Sequence, residues 1–352
     1  MPRTIQAGEE PLSSQMKRKK GISITKEYDG NFGTIISTGS TLLDLAISGG
    51  RVHGGGLPGG ILIEAFGPSQ SGKTVLLSEI AGAIQRQGGD IMFADPESRL
   101  NRQFALMFGL NVTEENYSIP NTVTEVFGAA RKWKPVPAKR SAINGIFADS
   151  LAALSTDMEM DSDEGDKMGM KRAKEFSEQL RRTCRMITEN NYLMVCSNQV
   201  RENVGASEYQ PKTSTPGGKA MGFYSSLRLQ FTNPKKIKRK KSIAGKERER
   251  VIGVETTIEV FKSSIWKPYH SAPVTIIFDY GIDDIRQNLQ FIKDYTKFTT
   301  YTLGGEKIGQ SMEEAIAYIE SENLEDTLKE EVITLWEDVE SKFETVRKTK
   351  RR

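Results

Sequence analysis

Ala65-Phe66-Gly67-Pro68-Ser69-Gln70-Ser71-Gly72-Lys73-Thr74 satisfies the phosphate-loop pattern G-x-x-x-x-G-K-[ST], and its flanks supply the context that pattern needs. The apolar run from Ile61 to Phe66 predicts a buried strand. From Lys73 to about Gln87, the positions Val75, Leu76, Ile80, Ala81 and Ile84 recur at helical spacing. Strand, glycine-bearing loop and helix N-terminus together make an anion trap. Backbone N–H groups and the helix dipole converge on phosphate oxygens, and the glycines leave the approach open. In such a loop Lys73 reaches the β- and γ-phosphates and the Thr74 hydroxyl holds Mg²⁺. A nucleoside triphosphate site is expected.

The 352 residues suffice for one large α/β core and a smaller domain. A net charge of +3 is uninformative in bulk, but its distribution is uneven. Basic clusters fall at residues 17–20, 235–250 and 347–352; the second holds nine Lys/Arg against two Glu. Such runs are most often solvated or disordered arms, and their commonest functional use is contact with a phosphate backbone. Cys184 and Cys196 fall in helical and strand patterns and read as small buried hydrophobes. His53 and His270 lie far apart and form no metal motif. The absence of a signal peptide or spanning apolar segment predicts a soluble cytoplasmic protein without membrane contact.

Residues 1–34 are weakly patterned and read as an N-terminal arm, either unstructured or packed on a neighbouring subunit; a short helix over 9–20 is one reading. Ser40 followed by Leu42, Leu43, Leu45 and Ala46 predicts a capped helix. Strands are expected over 61–66, 90–95, 145–149 and 192–197, then, more closely spaced, over 226–231, 255–261 and 273–279. A helix rich in Arg and Lys is expected over 171–190. That order predicts an α/β fold with a mostly parallel central sheet extended by antiparallel strands. The division expected is a core over 35–284, a small C-terminal α/β domain over 285–344, and a basic tail over 345–352.

Ligands of open α/β sheets sit beyond the carboxyl ends of the strands. Asp149 fits an acid that binds Mg²⁺ through water; it equally fits an N-cap for a helix starting at Leu151. Glu97 fits a base that orients the attacking water, or a merely solvated loop carboxylate. Gln199 is a candidate γ-phosphate sensor, or a side chain that satisfies buried backbone. The stretches 159–169 and 200–216 read as two long loops beside the site, the second closed by Gly217-Gly218.

Taken together, these residues resemble the RecA-family recombinases of the bacterial type. The resemblance covers roughly residues 36–343 and rests on the order of several motifs. They are Ile36 to Ser40 with Leu43-Asp44, the phosphate loop, Asp95-Pro96-Glu97, Asp149 to Leu154, and Asn198-Gln199-Val200-Arg201. Gly217-Gly218, Phe223-Tyr224 and Gly305 to Gln310 complete them. The resemblance implies a RecA-like P-loop ATPase core that uses ATP and Mg²⁺. Its catalytic glutamate falls on Glu97, its Mg²⁺ aspartate on Asp149 and its sensing glutamine on Gln199. Adenine-side residues fall on Asn101 and Phe104, where the family more often has Asp and Tyr. The two long loops are similar to the family's DNA-binding loops, placing Met168, Arg201, Val204, Gly217 and Gly218 at DNA. Between the loops, Arg172, Lys174, Ser177 and Arg181 are expected towards phosphates, the last three sharing one face at i, i+3, i+7. Phe223 falls on the family's interface phenylalanine.

Three departures stand out. Of two lysines that reach across the family's subunit interface to the γ-phosphate, Lys262 keeps the first, but Ser264 occupies the second, with Lys267 nearby. The 235–250 segment is longer and more basic than usual, and the tail is basic where the family's is acidic. The resemblance implies an ATP-dependent recombinase that forms a homo-oligomeric helical filament on single-stranded DNA and pairs it with double-stranded DNA. Alternatives are an ATP-binding DNA-coating filament with poor hydrolysis, and a RecA-core motor or clock-type ATPase. Stimulation of hydrolysis by single strands separates them.

Overall fold

The apolar run that ends in the glycine loop lies at the middle of the largest sheet. The computed structural model describes residues 33–156, 168–202, 213–214, 219–345 and 347, with backbone alone at 168–172, 201–202, 213–214, 219 and 233. β1 (Ile35–Ile36) and β2 (Leu57–Pro58) pair around α1 (Thr41–Ser48), whose cap Ser40 accepts from the Leu43 N–H. Next come β3 (Ile61–Gly67), α2 (Lys73–Arg86), β4 (Ile91–Ala94), α3 (Arg102–Met107) and β5 (Tyr117–Ser118). These lead to α4 (Val123–Lys132), β6 (Gly145–Ala148), α5 (Met168–Glu189) and β7 (Leu193–Gln199). A stem of β8 (Arg201–Glu202) and β9 (Thr213–Ser214) precedes α6 (Lys219–Tyr224). β10 (Leu227–Ile243), β11 (Lys246–Ser263), β12 (Ser271–Ile277) and β13 (Gly281–Ile282) follow. The chain continues through α7 (Asp284–Tyr295), the hairpin β14 (Tyr301–Leu303)–β15 (Glu306–Gly309), α8 (Met312–Glu322) and α9 (Glu325–Ser341).

The main sheet has the order β13-β12-β11-β10-β3-β7-β6-β4-β5. Its run from β10 to β5 is parallel and the other three strands are antiparallel, the mixed architecture expected from the element order. Register matters for function. Gly67 pairs with Gln199, Ala148 with Cys196 and Ala94 with Ala148, so four strands end together. Beneath, Phe127, Phe176, Leu180 and Met194 form a core that fastens α4 and α5 to one sheet face. The regular apolar stripe of α5 makes that possible.

At the centre of β3 a charged side chain, Glu64, is fully buried. It accepts from Arg228 Nε of β10 at 2.6 Å and from Asn198 Nδ2 of β7 at 2.9 Å. The Arg228 guanidinium also lies over the Phe66 ring, 4.4 Å from its centroid. Removing one partner of a buried pair strands the other charge. Arg228→Met is therefore expected to lower unfolding stability by about 3–5 kcal/mol. Denaturant titration should show most of that loss restored in the Glu64→Gln/Arg228→Met double variant. A single-variant loss below about 1 kcal/mol would mean the carboxylate needs no partner.

Two expectations are refined. Of the readings solvated or disordered, the 235–250 segment is solvated but ordered: β10 and β11 continue through it as a paired ribbon, turning at Ala244-Gly245, both at positive φ. The 200–216 loop is not wholly unpatterned either, because Arg201 pairs with Ser214 and Glu202 with Thr213. The helix considered over 9–20, and the basic tail except Arg347, lie outside the described residues.

The C-terminal elements are tied to α1. The Asp284 carboxylate accepts from the Thr41 N–H and hydroxyl, both at 2.7 Å. Trp266, just past β11, stacks on His270 at 4.6 Å between centroids and lies 5.7 Å from Trp336 of α9. Among the described residues no helix is long and apolar enough to cross a membrane.

Candidate active site

The phosphate loop adopts the shape its glycines permit. Gly72, at φ +97°, caps α2 without any side-chain hydrogen bond, so the helix start keeps its positive end for an anion. A Cβ there would stand 2.2 Å from Ile276 Cδ1 and would have to displace that methyl, on top of the strain that the positive φ imposes on any other residue. Lys73 is buried, and its Nζ donates to the carbonyls of Pro68 (2.6 Å) and Gly67 (3.2 Å). Burial holds its pKa below the usual lysine range, opposed by the carboxylates of Asp149 and Glu97. Gly67, Pro68, Ser69, Gln70, Ser71, Gly72, Lys73 and Thr74 thus form one continuous cradle.

Asp149, directly after β6, accepts hydrogen bonds from Ser197 Oγ of β7 and from Thr74. Burial raises its pKa, and the two hydroxyls oppose the rise. It does not cap the following turn; Ser150 does, accepting from the Ala152 N–H at 3.2 Å. Asp149 is therefore left facing Thr74. This pair fits a Mg²⁺ ion beside a triphosphate. Among the described residues no cluster of three His, Cys, Asp or Glu could hold a metal by itself.

Asp95, one residue beyond β4, works as an anchor. Its Oδ2 accepts from the Arg99 and Leu100 N–H groups at 2.8 Å and from the Tyr117 hydroxyl at 2.9 Å. Burial, with the Asp95 hydrogen bond, pushes the Tyr117 phenol up to about 12. The turn so held carries Glu97, paired with Arg99 at 2.9 Å and 3.5 Å from Gln199 Nε2. Lys73, Glu97, Asp149 and Gln199 therefore lie together where these strands end.

Beside the cradle lies a cleft of about 490 Å³. Phe104 lines it, with Phe108 edge-on at 4.7 Å between centroids. Asn101 does not line it; its Oδ1 accepts from the Gln103 N–H at 2.8 Å and caps α3. The opposite wall comes from Ile276 and Phe278, with Lys236 and Val254 from the root of the long ribbon. Sequence reasoning missed these four. For Ile276 and Phe278 the one signal was the apolar run before Asp279, which reads only as a strand; Lys236 and Val254 carried none.

On the other side, α5 and α6 meet. Lys174 and Ser177 share an open depression with Phe223 and Tyr224, so the helix face expected towards phosphates adjoins the expected interface phenylalanine. Lys174 and Arg181 are exposed, and Phe223 is 76% exposed. Lys262 Nζ donates to the carbonyls of Gly222 and Ser225, both at 2.7 Å, and so caps the C-terminus of α6. Ser264 Oγ donates to Ser226 O at 3.1 Å, and Lys267 lies over the Trp266 ring. Met168, Arg172 and Arg201 are placed by backbone alone, on α5 and β8, while Val204, Gly217 and Gly218 lie outside the described residues.

A family model described as the RecA N-terminal domain matches residues 15–283. Protein RecA of Teredinibacter turnerae (strain ATCC 39867 / T7901) is 32% identical over 85% of this chain and 84% of its own. Protein RecA of Streptococcus agalactiae serotype III (strain NEM316) is 32% identical over 81% and 73%, respectively. Protein RecA of Borrelia hermsii (strain HS1 / DAH) is 29% identical over 95% and 93%. With the phosphate cradle at the end of β3, the acid at the end of β6 and this similarity along most of its length, the chain belongs to the RecA family of recombinases.

Proposed function

We propose that the protein is an ATP-dependent DNA recombinase that assembles as a helical filament on single-stranded DNA, pairs that strand with homologous duplex and exchanges strands. The observation that carries this reading is the common edge where β3, β4, β6 and β7 end, with Lys73, Glu97, Asp149 and Gln199. Lys73 and the loop N–H groups hold the phosphates; Thr74 and Asp149 would hold Mg²⁺, which would supply charge neutralisation at the phosphates. Glu97 orients the attacking water and takes its proton. Gln199, hydrogen-bonded towards Glu97 and followed at once by the β8 stem, links the state of the γ-phosphate to the DNA-facing segment. The α5 face and Phe223 extend that surface towards a neighbouring subunit, and residues 285–344 guide the incoming duplex.

A strand-exchange assay with ATP and with a non-hydrolysable analogue tests the proposal. Pairing with both and turnover with ATP alone is expected; absence of pairing with either overturns it. Ser264 favours a second reading, a filament that coats DNA and hydrolyses ATP poorly. It replaces a cation with a hydroxyl that is engaged locally. Weak stimulation of hydrolysis by single strands, with filaments intact, would select that reading.

Arg201 follows the sensor by two residues and opens the β8 stem. Arg201→Ala is expected to weaken single-strand binding several-fold and to reduce the slope of log K against log salt by about 0.7, one phosphate contact. Fluorescence anisotropy across a salt series measures both. Unchanged affinity at every salt concentration would remove this segment from the DNA interface.

A further inference from the structure

Beyond Ile237 the hairpin of β10 and β11 leaves the sheet. β3 pairs with β10 only as far as Gln230, and β12 pairs with β11 from Gly253 onward. Six cross-strand pairs, from Lys238↔Val251 to Ile243↔Lys246, then run out as a two-stranded ribbon with no third strand among the described residues. Every residue from Lys238 to Val251 is exposed. At about 3.3 Å per residue the free part is about 20 Å long.

Opposed residues of an antiparallel pair share a face, and successive pairs alternate faces. One face carries Lys238, Lys240, Glu247 and Glu249, and its charges cancel. Lys238 bonds Glu249 at 2.7 Å and Lys240 bonds Glu247 at 2.8 Å. The other face carries Arg239↔Arg250, Lys241↔Arg248 and Ile243↔Lys246, without an acid. Both glutamates are thus consumed on one side, and the other is purely cationic. Directly opposed like charges destabilise a strand pair, so the ribbon bears a cost that an anionic partner would remove.

We propose that this cationic face is a binding site for double-stranded DNA, separate from the loops beside the nucleotide. A two-stranded β-ribbon fits the width of the B-form major groove. Arg and Lys at both rails reach the phosphates, and the exposed Ile243 at the tip suits apolar contact with base edges. The choice of DNA over other polyanions rests on the recombinase reading. A single strand offers no groove, and the major groove of duplex RNA is too narrow for the ribbon.

The test is equilibrium binding, without nucleotide, of the full chain to a 30-base-pair DNA duplex, the matching duplex RNA and a single strand. The variant Arg239→Gln/Lys241→Gln/Arg248→Gln/Arg250→Gln is compared with Lys238→Gln/Lys240→Gln/Glu247→Gln/Glu249→Gln, which conserves net charge. The first is expected to lose about 10- to 100-fold in duplex-DNA affinity near 0.1 M salt, with a slope shallower by about 2–4. The second is expected to match the parent. Circular dichroism checks that both fold. Duplex-DNA affinity unchanged in the first variant overturns the proposal, as does an equal loss on all three nucleic acids. Single-strand-stimulated hydrolysis is measured in parallel. Its retention in the first variant keeps the outcome for the ribbon distinct from the outcome for the recombinase reading.

Discussion

Lys73→Ala is expected to weaken ATP binding at least about 100-fold, beyond detection in an ordinary titration, because the ammonium supplies charge-assisted contacts worth about 1.5–3 kcal/mol each. A second effect adds to this. Lys73 Nζ also clamps the loop through Gly67 O and Pro68 O, so truncation loosens the cradle itself. Lys73→Arg separates the two effects, since its planar, longer head keeps the charge but not the compact point geometry. Isothermal titration with ATP and Mg²⁺ reads the outcome, with a melting curve to confirm folding. Binding by Lys73→Ala within threefold of the parent would show that the phosphates sit elsewhere.

Glu97→Gln is expected to bind ATP and DNA like the parent yet turn over about 10²- to 10⁴-fold more slowly. The substitution is nearly isosteric and leaves Asp95, which fixes the turn, untouched. On the proposed mechanism it removes the group that accepts the proton of the attacking water. It also frees Arg99, but that pair is largely exposed on the arginine side and contributes little to folding. Single-turnover hydrolysis separates chemistry from product release. Parental turnover would assign the role to another group and leave Glu97 as the partner of Arg99.

Local features were legible in the sequence. The phosphate loop, α2 and the strands ending at Asp95, Asp149 and Gln199 depend on short-range periodicity and on glycines whose roles are local. Their convergence was legible only through the rule that ligands collect at the carboxyl ends of parallel strands. What was missed depends on long-range pairing. Ile276 of β12 and the adjoining Phe278 reach the cleft beside the phosphate loop although β12 lies three strands away from β3, a proximity to Gly72 that no nearby residue announces. Asn101 and Ser150 turned out to be helix caps because a short polar side chain competes for free N–H groups wherever a helix starts. The ribbon escaped notice for a different reason. Strands are recognised by alternation of apolar and polar residues, and a ribbon wet on both faces has none. Its true alternation is between compensated and uncompensated charge, which appears only when residues 238–243 are laid against 246–251.

β10 has a mechanical consequence. Over Leu227 to Gln230 it lies against the strand that ends in the phosphate loop, and its last residues form one rail of the ribbon. The root of the hairpin, at Lys236 and Val254, forms part of the cleft wall. The tip stands about 20–25 Å beyond that root. A stiff beam hinged at one end multiplies small rotations. A tilt of about 10° at the wall would carry Ile243 through about 4 Å, slightly more than the rise of one residue along a strand. The hairpin thus has the proportions of a lever, with its short end in the cleft wall and its long end in solvent.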